Sequence, residues 1–160
     1  CYEKILLLNT ATIWGDYQGW GLYAERLADE MGLYSDDISR LGMLSNEAWR
    51  TARLVIDPGI HVMNWTREEA VQYLRKKTTL NENTIQAEID RYIMSPGQAA
   101  SYMVGKREII TLRNLSQEKL KNNFDIKNFH EQILKHGSIT LPIMRENILS
   151  WISETLARKK

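Results

Sequence analysis

Arg91-Tyr92-Ile93-Met94-Ser95-Pro96-Gly97-Gln98-Ala99-Ala100-Ser101-Tyr102-Met103-Val104-Gly105 is the stretch on which the reading of this chain turns. An amphipathic segment ends at Pro96-Gly97 and a second begins at once. Pro96 is expected in the first turn of the new helix, where its missing N–H is an orphan in any case. At about 100° per residue, Gln98, Tyr102 and Gly105 share one helical face. That face offers an amide, a phenol and a gap without a side chain. Such a gap admits another backbone, as at a helix–helix contact with Tyr102 half buried, or a peptide ligand.

Outward from this junction the hydrophobic period is helical, with no convincing strand pair or internal repeat. Upstream, Tyr2 to Trp14 reads as a buried helix. Trp20, Tyr23, Ala24, Leu27 and Met31 then mark a core face, with Gln18, Leu22, Glu25 and Asp29 pointing the other way, and Gly32 ends the segment. Ser45 is expected to cap a helix through Trp49, Arg53, Asp57 and His61, kinked by Pro58. Thr66-Arg67-Glu68-Glu69 has the form of a capping box. After a polar break at Thr78–Asn83 the chain is helical again to Tyr92. Downstream, the helix from Pro96 runs to about Leu120. Asp125 opens one closed by Gly137, and Pro142 starts the last, striped by Met144, Ile148, Trp151, Ile152 and Leu156. The expected fold is all-α, an irregular multi-helix bundle of about seven helices, with residues 1–160 as a single domain or half-domain.

The chain has 160 residues, 43% hydrophobic and 26% charged, with net charge +1, enough to bury one core. Near-neutral balance argues against a nucleic-acid footprint of clustered cations. Arg75-Lys76-Lys77 and Arg158-Lys159-Lys160 read as solvated helix ends, where cations favour the dipole. Cys1 is the one cysteine, so no internal disulfide forms. Ile5-Leu6-Leu7-Leu8 is too short to cross a bilayer, so no transmembrane segment is expected. No signal peptide is expected within the sequence that begins at Cys1. A first-position cysteine suits a lipid-anchored mature protein, but the reading adopted is a fragment that starts there.

Arg53, Asp57 and His61, each four residues apart, fall along one side of a helix. Asp57 can fix the tautomer or favour the protonated form of His61, and Arg53 can pair with Asp57 or an external carboxylate. The same spacing also fits a surface ion pair beside a satisfied histidine. His130-Glu131 begins like a zinc-protease helix, but position 134 is Leu rather than His, and His136 lies on another face. A metal site there is rejected.

Four of these segments, in order, resemble one family. Tyr17-Gln18-Gly19-Trp20-Gly21-Leu22-Tyr23-Ala24-Glu25 resembles an EGWALYxE motif. Arg53-Leu54-Val55-Ile56-Asp57-Pro58-Gly59-Ile60-His61 with Trp65 resembles RLVxDxGxHxxxW. Arg91-Tyr92 through Pro96-Gly97-Gln98-Ala99 to Tyr102 and Gly105 resembles RYxxxPGQAxxYxxG. Phe129-His130, Leu134, Gly137 and Leu141-Pro142 complete the order. The family is the bacterial domain of unknown function 885, which includes many exported lipoproteins. The resemblance implies the C-terminal half of a gluzincin-like zinc-metallopeptidase fold, in the bacterial cell envelope or periplasm. It implies a peptide-like substrate, and a missing N-terminal half, bearing an HExxPGH-like motif, as partner.

By the same resemblance His61 and Tyr102 become candidate catalytic donors to an oxyanion, and Arg53, Asp57, Gln98 and Gly105 candidate substrate-binding residues. Gln18 stands where the family has its zinc-ligating Glu. A neutral amide is a poor ligand for a dication, so no metal is expected on this chain alone, zinc belonging to the complete fold. The expected function is the substrate-binding half of a hydrolase of peptides or small amides, inactive alone. The alternative is a non-catalytic helical peptide- or protein-binding module.

Overall fold

The helical period carries through. The computed structural model describes residues 2–158, with side chains from Gly15 onward, and no strand occurs among them. Seven helices follow in order: α1 (Tyr2–Glu30), α2 (Asp37–Val62), α3 (Arg67–Lys77), α4 (Glu82–Met94), α5 (Gln98–Leu120), α6 (Ile126–Leu134) and α7 (Leu141–Ala157). One 3-10 turn, Lys121–Asn123, joins α5 to α6. The expectations placed on Cys1, on Lys159 and Lys160, and on burial of the Tyr2–Trp14 face lie outside what is described.

Several helix ends form for the reasons expected. Thr66 and Glu69 make a reciprocal capping box, with Thr66 N–H donating to Glu69 Oε2 at 2.7 Å and Glu69 N–H to Thr66 Oγ1 at 3.2 Å. Asp125 caps α6, Gly137 takes φ +65° beyond it, and Pro142 sits in the first turn of α7. Two starts differ from expectation. Helix α2 begins at Asp37, capped by the Asp36 carboxylate on Ser39 N–H at 2.7 Å. Ser45 is therefore inside the helix, its hydroxyl 2.8 Å from that of Thr79. Helix α5 begins after Gly97, whose φ of +82° only glycine adopts readily. Pro96 thus belongs to the turn and not to the helix.

Pro58 lies inside α2, which continues to Val62, where Met63 N–H reaches back to Pro58 O at 3.1 Å. On α1, Tyr23 is buried as expected. Leu22, assigned to the outer face, is buried as well, because α1 packs against both α2 and α5. Met31 lies past the end of α1 and is exposed.

Helix α5 is the axle of the molecule, packing against α1, α2 and α7. One core gathers Tyr23, Ile109, Leu112, Leu120, Phe129, Met144, Ile148 and Ile152 from α1, α5, α6 and α7. A second gathers Ile56, Val71, Leu74, Ile85, Ile89, Tyr92 and Ala99 from α2, α3, α4 and the start of α5. Helices α1 and α5 touch backbone to backbone. A Cβ placed on Gly105 would lie 1.6 Å from Gly15 O, and one on Gly19 would lie 2.4 Å from Gly105 C. Neither space exists, so both positions require glycine.

Candidate functional site

Asp57 is fully buried, and its carboxylate is spent on the start of α5. Oδ1 accepts from Gly97 N–H and Oδ2 from Ala100 N–H, each at 3.0 Å. Gly97 has no side chain with which to cap its own helix. Asp57, from α2, does so in its place, adding charge at the positive end of the helix dipole. Burial pushes the Asp57 carboxyl above its ordinary value, against the pull of the Gly97 and Ala100 amides and of His61. His61 Nε2 lies 3.7 Å from Asp57 Oδ1 and donates to Tyr92 O at 3.0 Å. The histidine thus ties the end of α2 to the last turn of α4, leaving Nδ1 as its second ring nitrogen.

Arg53, one turn earlier, is also buried. Its Nε donates to the Tyr92 hydroxyl at 2.9 Å and its Nη2 to Glu88 Oε2 at 3.0 Å. Its guanidinium lies 4.3 Å from the Trp49 ring centre and 5.4 Å from that of Tyr102. Burial raises the Tyr92 phenol to about 12, although Arg53 opposes it. Glu88 also accepts from Arg91, at 2.9 Å. Burial alone would raise its carboxyl, but hydrogen bonds from Arg91 and Tyr92 and the Arg53 charge hold it below the usual range. Arg91 extends the network to Gln98, donating to Oε1. Arg53 and Asp57 therefore stand side by side on α2 without pairing to each other: one holds α4, the other α5.

Beside this network a cleft of about 330 Å³ opens between α1, α2 and α5. Tyr17, Gln18, Trp20, Gly21, Leu22 and Glu25 come from α1, Arg50 from α2 and Tyr102 from α5. Gln18 Oε1 accepts from the Ser101 hydroxyl. The Arg50 guanidinium lies 4.7 Å from the Trp49 ring centre and 6.0 Å from that of Tyr102, and its Nη1 donates to Asn46 Oδ1 at 2.9 Å. Burial, then the charge of Arg53, lowers its basicity, and the Glu25 carboxylate opposes both. Glu25 Oε2 is buried and has no hydrogen-bond partner among the described residues.

Of the residues singled out from sequence, Gln18 and Tyr102 line this cleft and Arg53 stacks on the Tyr102 ring. His61, Asp57 and Gln98 sit at the α2–α4–α5 junction, and Gly105 sits at the α1–α5 crossing. Glu25 and Arg50 escaped sequence reasoning as site residues. Glu25 carried two signals, its match to the last residue of the EGWALYxE motif and its place with Gln18 on the outward side of α1; Arg50 carried none. Also unforeseen is the pair of buried Lys106 with Glu47, 2.6 Å apart.

As for zinc, among the described residues no three His, Cys, Asp or Glu side chains are grouped to hold a metal ion. Gln18, which the resemblance aligns with a ligand, presents a neutral oxygen already occupied by Ser101. These residues do not by themselves fit the ion. His130 is engaged elsewhere, its Nε2 hydrogen-bonded with the Tyr23 hydroxyl at 2.8 Å while Arg113 donates to that hydroxyl at 3.2 Å.

Comparison with known proteins gives two findings. The family described as "Bacterial protein of unknown function (DUF885)" matches residues 7–148. A solved structure described as "the putative lipoprotein from Colwellia psychrerythraea" superposes with a TM-score of 0.84 at 37% identity, over 88% of this chain and 24% of that one. The chain thus spans about a quarter of the length of that protein. Among curated proteins nothing matches.

Proposed function

This chain belongs to the DUF885 family of bacterial proteins, and on that premise we propose that it forms the C-terminal, substrate-binding part of a zinc-metallopeptidase-like hydrolase of peptides or small amides. The observation that carries the reading is the cleft in which Gln18, Glu25, Arg50 and Tyr102 meet from three helices beside a buried arginine. A concave site with aromatic walls and a few convergent polar groups is what a short peptide requires.

In this reading the Tyr102 hydroxyl donates to the oxygen of the attacked carbonyl as charge develops on it. Arg53 holds the Tyr102 ring from behind. His61 and Asp57 are positioning residues: they fix the start of α5, and with it Tyr102. Gln98 acts likewise through Arg91. Gly105 lets α1 come close enough for Gln18 and Glu25 to face Tyr102. Zinc, its ligands and the general base belong to the rest of the fold, so this chain alone is inactive. The Colwellia relative's description supports a place at the cell envelope, and no described helix is long and apolar enough to cross a membrane.

The Gln18–Ser101 bond favours a second reading, a binding module that has lost the metal. Peptide hydrolysis by the native polypeptide that contains these residues, with and without added zinc, separates the two. Zinc-dependent cleavage supports the hydrolase. Silence in the native protein with activity gained on Gln18→Glu marks a disabled peptidase, and silence in both leaves the binding module.

A further inference from the structure

Glu25 is a charged cleft residue without a task in the reading above. It sits two turns along α1 from Gln18, on the same side of the helix. Its Oε2 is buried yet accepts no hydrogen bond among the described residues, an expensive state for a carboxylate oxygen. Arg50 lines the same cleft and feels the charge of Glu25, but its guanidinium is directed to Asn46 and the faces of Trp49 and Tyr102. Arg50 thus offers Glu25 its charge but no hydrogen bond to Oε2. The cleft that Glu25 lines also has Tyr17, Trp20, Leu22 and Tyr102 in its walls, mostly aromatic. A carboxylate acceptor facing aromatic rings selects a cationic group, which gains a charge-assisted hydrogen bond and the negative ring faces together.

We infer that Glu25 receives the free α-ammonium group of a short peptide, making this cleft selective for substrates with an unblocked amino terminus. The inference rests on the peptide-hydrolase reading for its substrate class. Chain geometry supports it: an ammonium at Glu25 places the peptide along α1 toward Gln18 and Tyr102, which line the same cleft. Arg50, across the cleft, is then left to a carbonyl or carboxylate further along the ligand. A peptide capped by an acetyl group loses the charge and two of the three donors, so it offers Oε2 at most one neutral hydrogen bond.

The test uses the native polypeptide containing these residues and one tetrapeptide, free and N-acetylated. Both cleavage and calorimetric affinity are read. The expected result is binding of the free peptide tighter by about tenfold or more, the range of one charge-assisted hydrogen bond. Glu25→Gln should bring that ratio close to one. Equal affinities of the unmodified protein for the two peptides overturn the inference, whether or not Glu25→Gln folds. A preserved ratio in a folded Glu25→Gln protein overturns it too. Absence of cleavage bears on the hydrolase reading alone, because affinity is measured independently of turnover.

Discussion

Asp57 shows how a residue placed like a catalytic acid serves structure first. With His61 one turn away, it has the spacing of an acid–base pair, yet both carboxylate oxygens are taken by amides at the start of α5. Replacement by Asn keeps the shape but offers one acceptor, leaving a buried amide unpaired. Asp57→Asn is therefore expected to destabilise the fold by about 2–3 kcal/mol at neutral pH, read by urea denaturation. The pH dependence has a definite sign. The folded carboxyl is raised above its ordinary 3.8, so between 3.8 and the raised value the folded protein binds more protons than the unfolded one. The contribution of Asp57 to stability thus falls as pH rises through that window. Accordingly, the advantage of the natural protein over Asp57→Asn should widen as pH drops toward 3.8. A narrowing advantage would mean a carboxyl stabilised in its charged form.

At the scale of elements, α5 decides the arrangement, and glycine decides how α5 meets α1. The contact at Gly105 is backbone on backbone, so a methyl group must push two long helices apart. Gly105→Ala is expected to cost more than about 3 kcal/mol in chemical denaturation. A loss under about 1 kcal/mol would show that the crossing can relax. Legibility in the sequence also divides by element. Helices announced by local chemistry were readable: the Thr66–Glu69 box, Asp125, Gly137 and Pro142 each act within a few residues. The start of α2 was not, because Ser45 resembles a cap, while the real one, Asp36, opens a helix whose first turns expose Ile38 and Leu41 and so lack an apolar stripe. The start of α5 was misread by two residues, because its capping carboxylate comes from forty residues upstream. Tyr102 and Gln18 could be found by motif, and the α1–α5 pairing that brings them together was hinted at only by Gly105. Arg50 and the lone oxygen of Glu25 become visible only once three helices meet.

On the scale of the whole molecule, the chain matches a quarter of a larger protein, and part of its surface is apolar. Met31, Leu33, Ile38 and Leu41 are each more than 60% exposed around the α1–α2 turn, and Leu44 borders a shallow groove with Leu41 and Ala48. If the rest of the fold covers this region, the isolated chain should bind a hydrophobic dye, and Ile38→Ser with Leu41→Ser should remove most of the signal without loss of helicity. No dye binding by the isolated chain would count against a missing half seated there. The proposed chemistry, however, lies in the cleft. Its most direct test is the turnover of a free-amino peptide by the complete native polypeptide and by its Tyr102→Phe variant. The phenyl ring preserves packing against Arg53 and removes only the hydroxyl. The account predicts that kcat falls by about a hundredfold, the usual loss for one oxyanion donor, while peptide affinity changes little. Equal kcat in the two proteins would contradict it, because the cleft would then hold no group that acts on the reacting carbonyl.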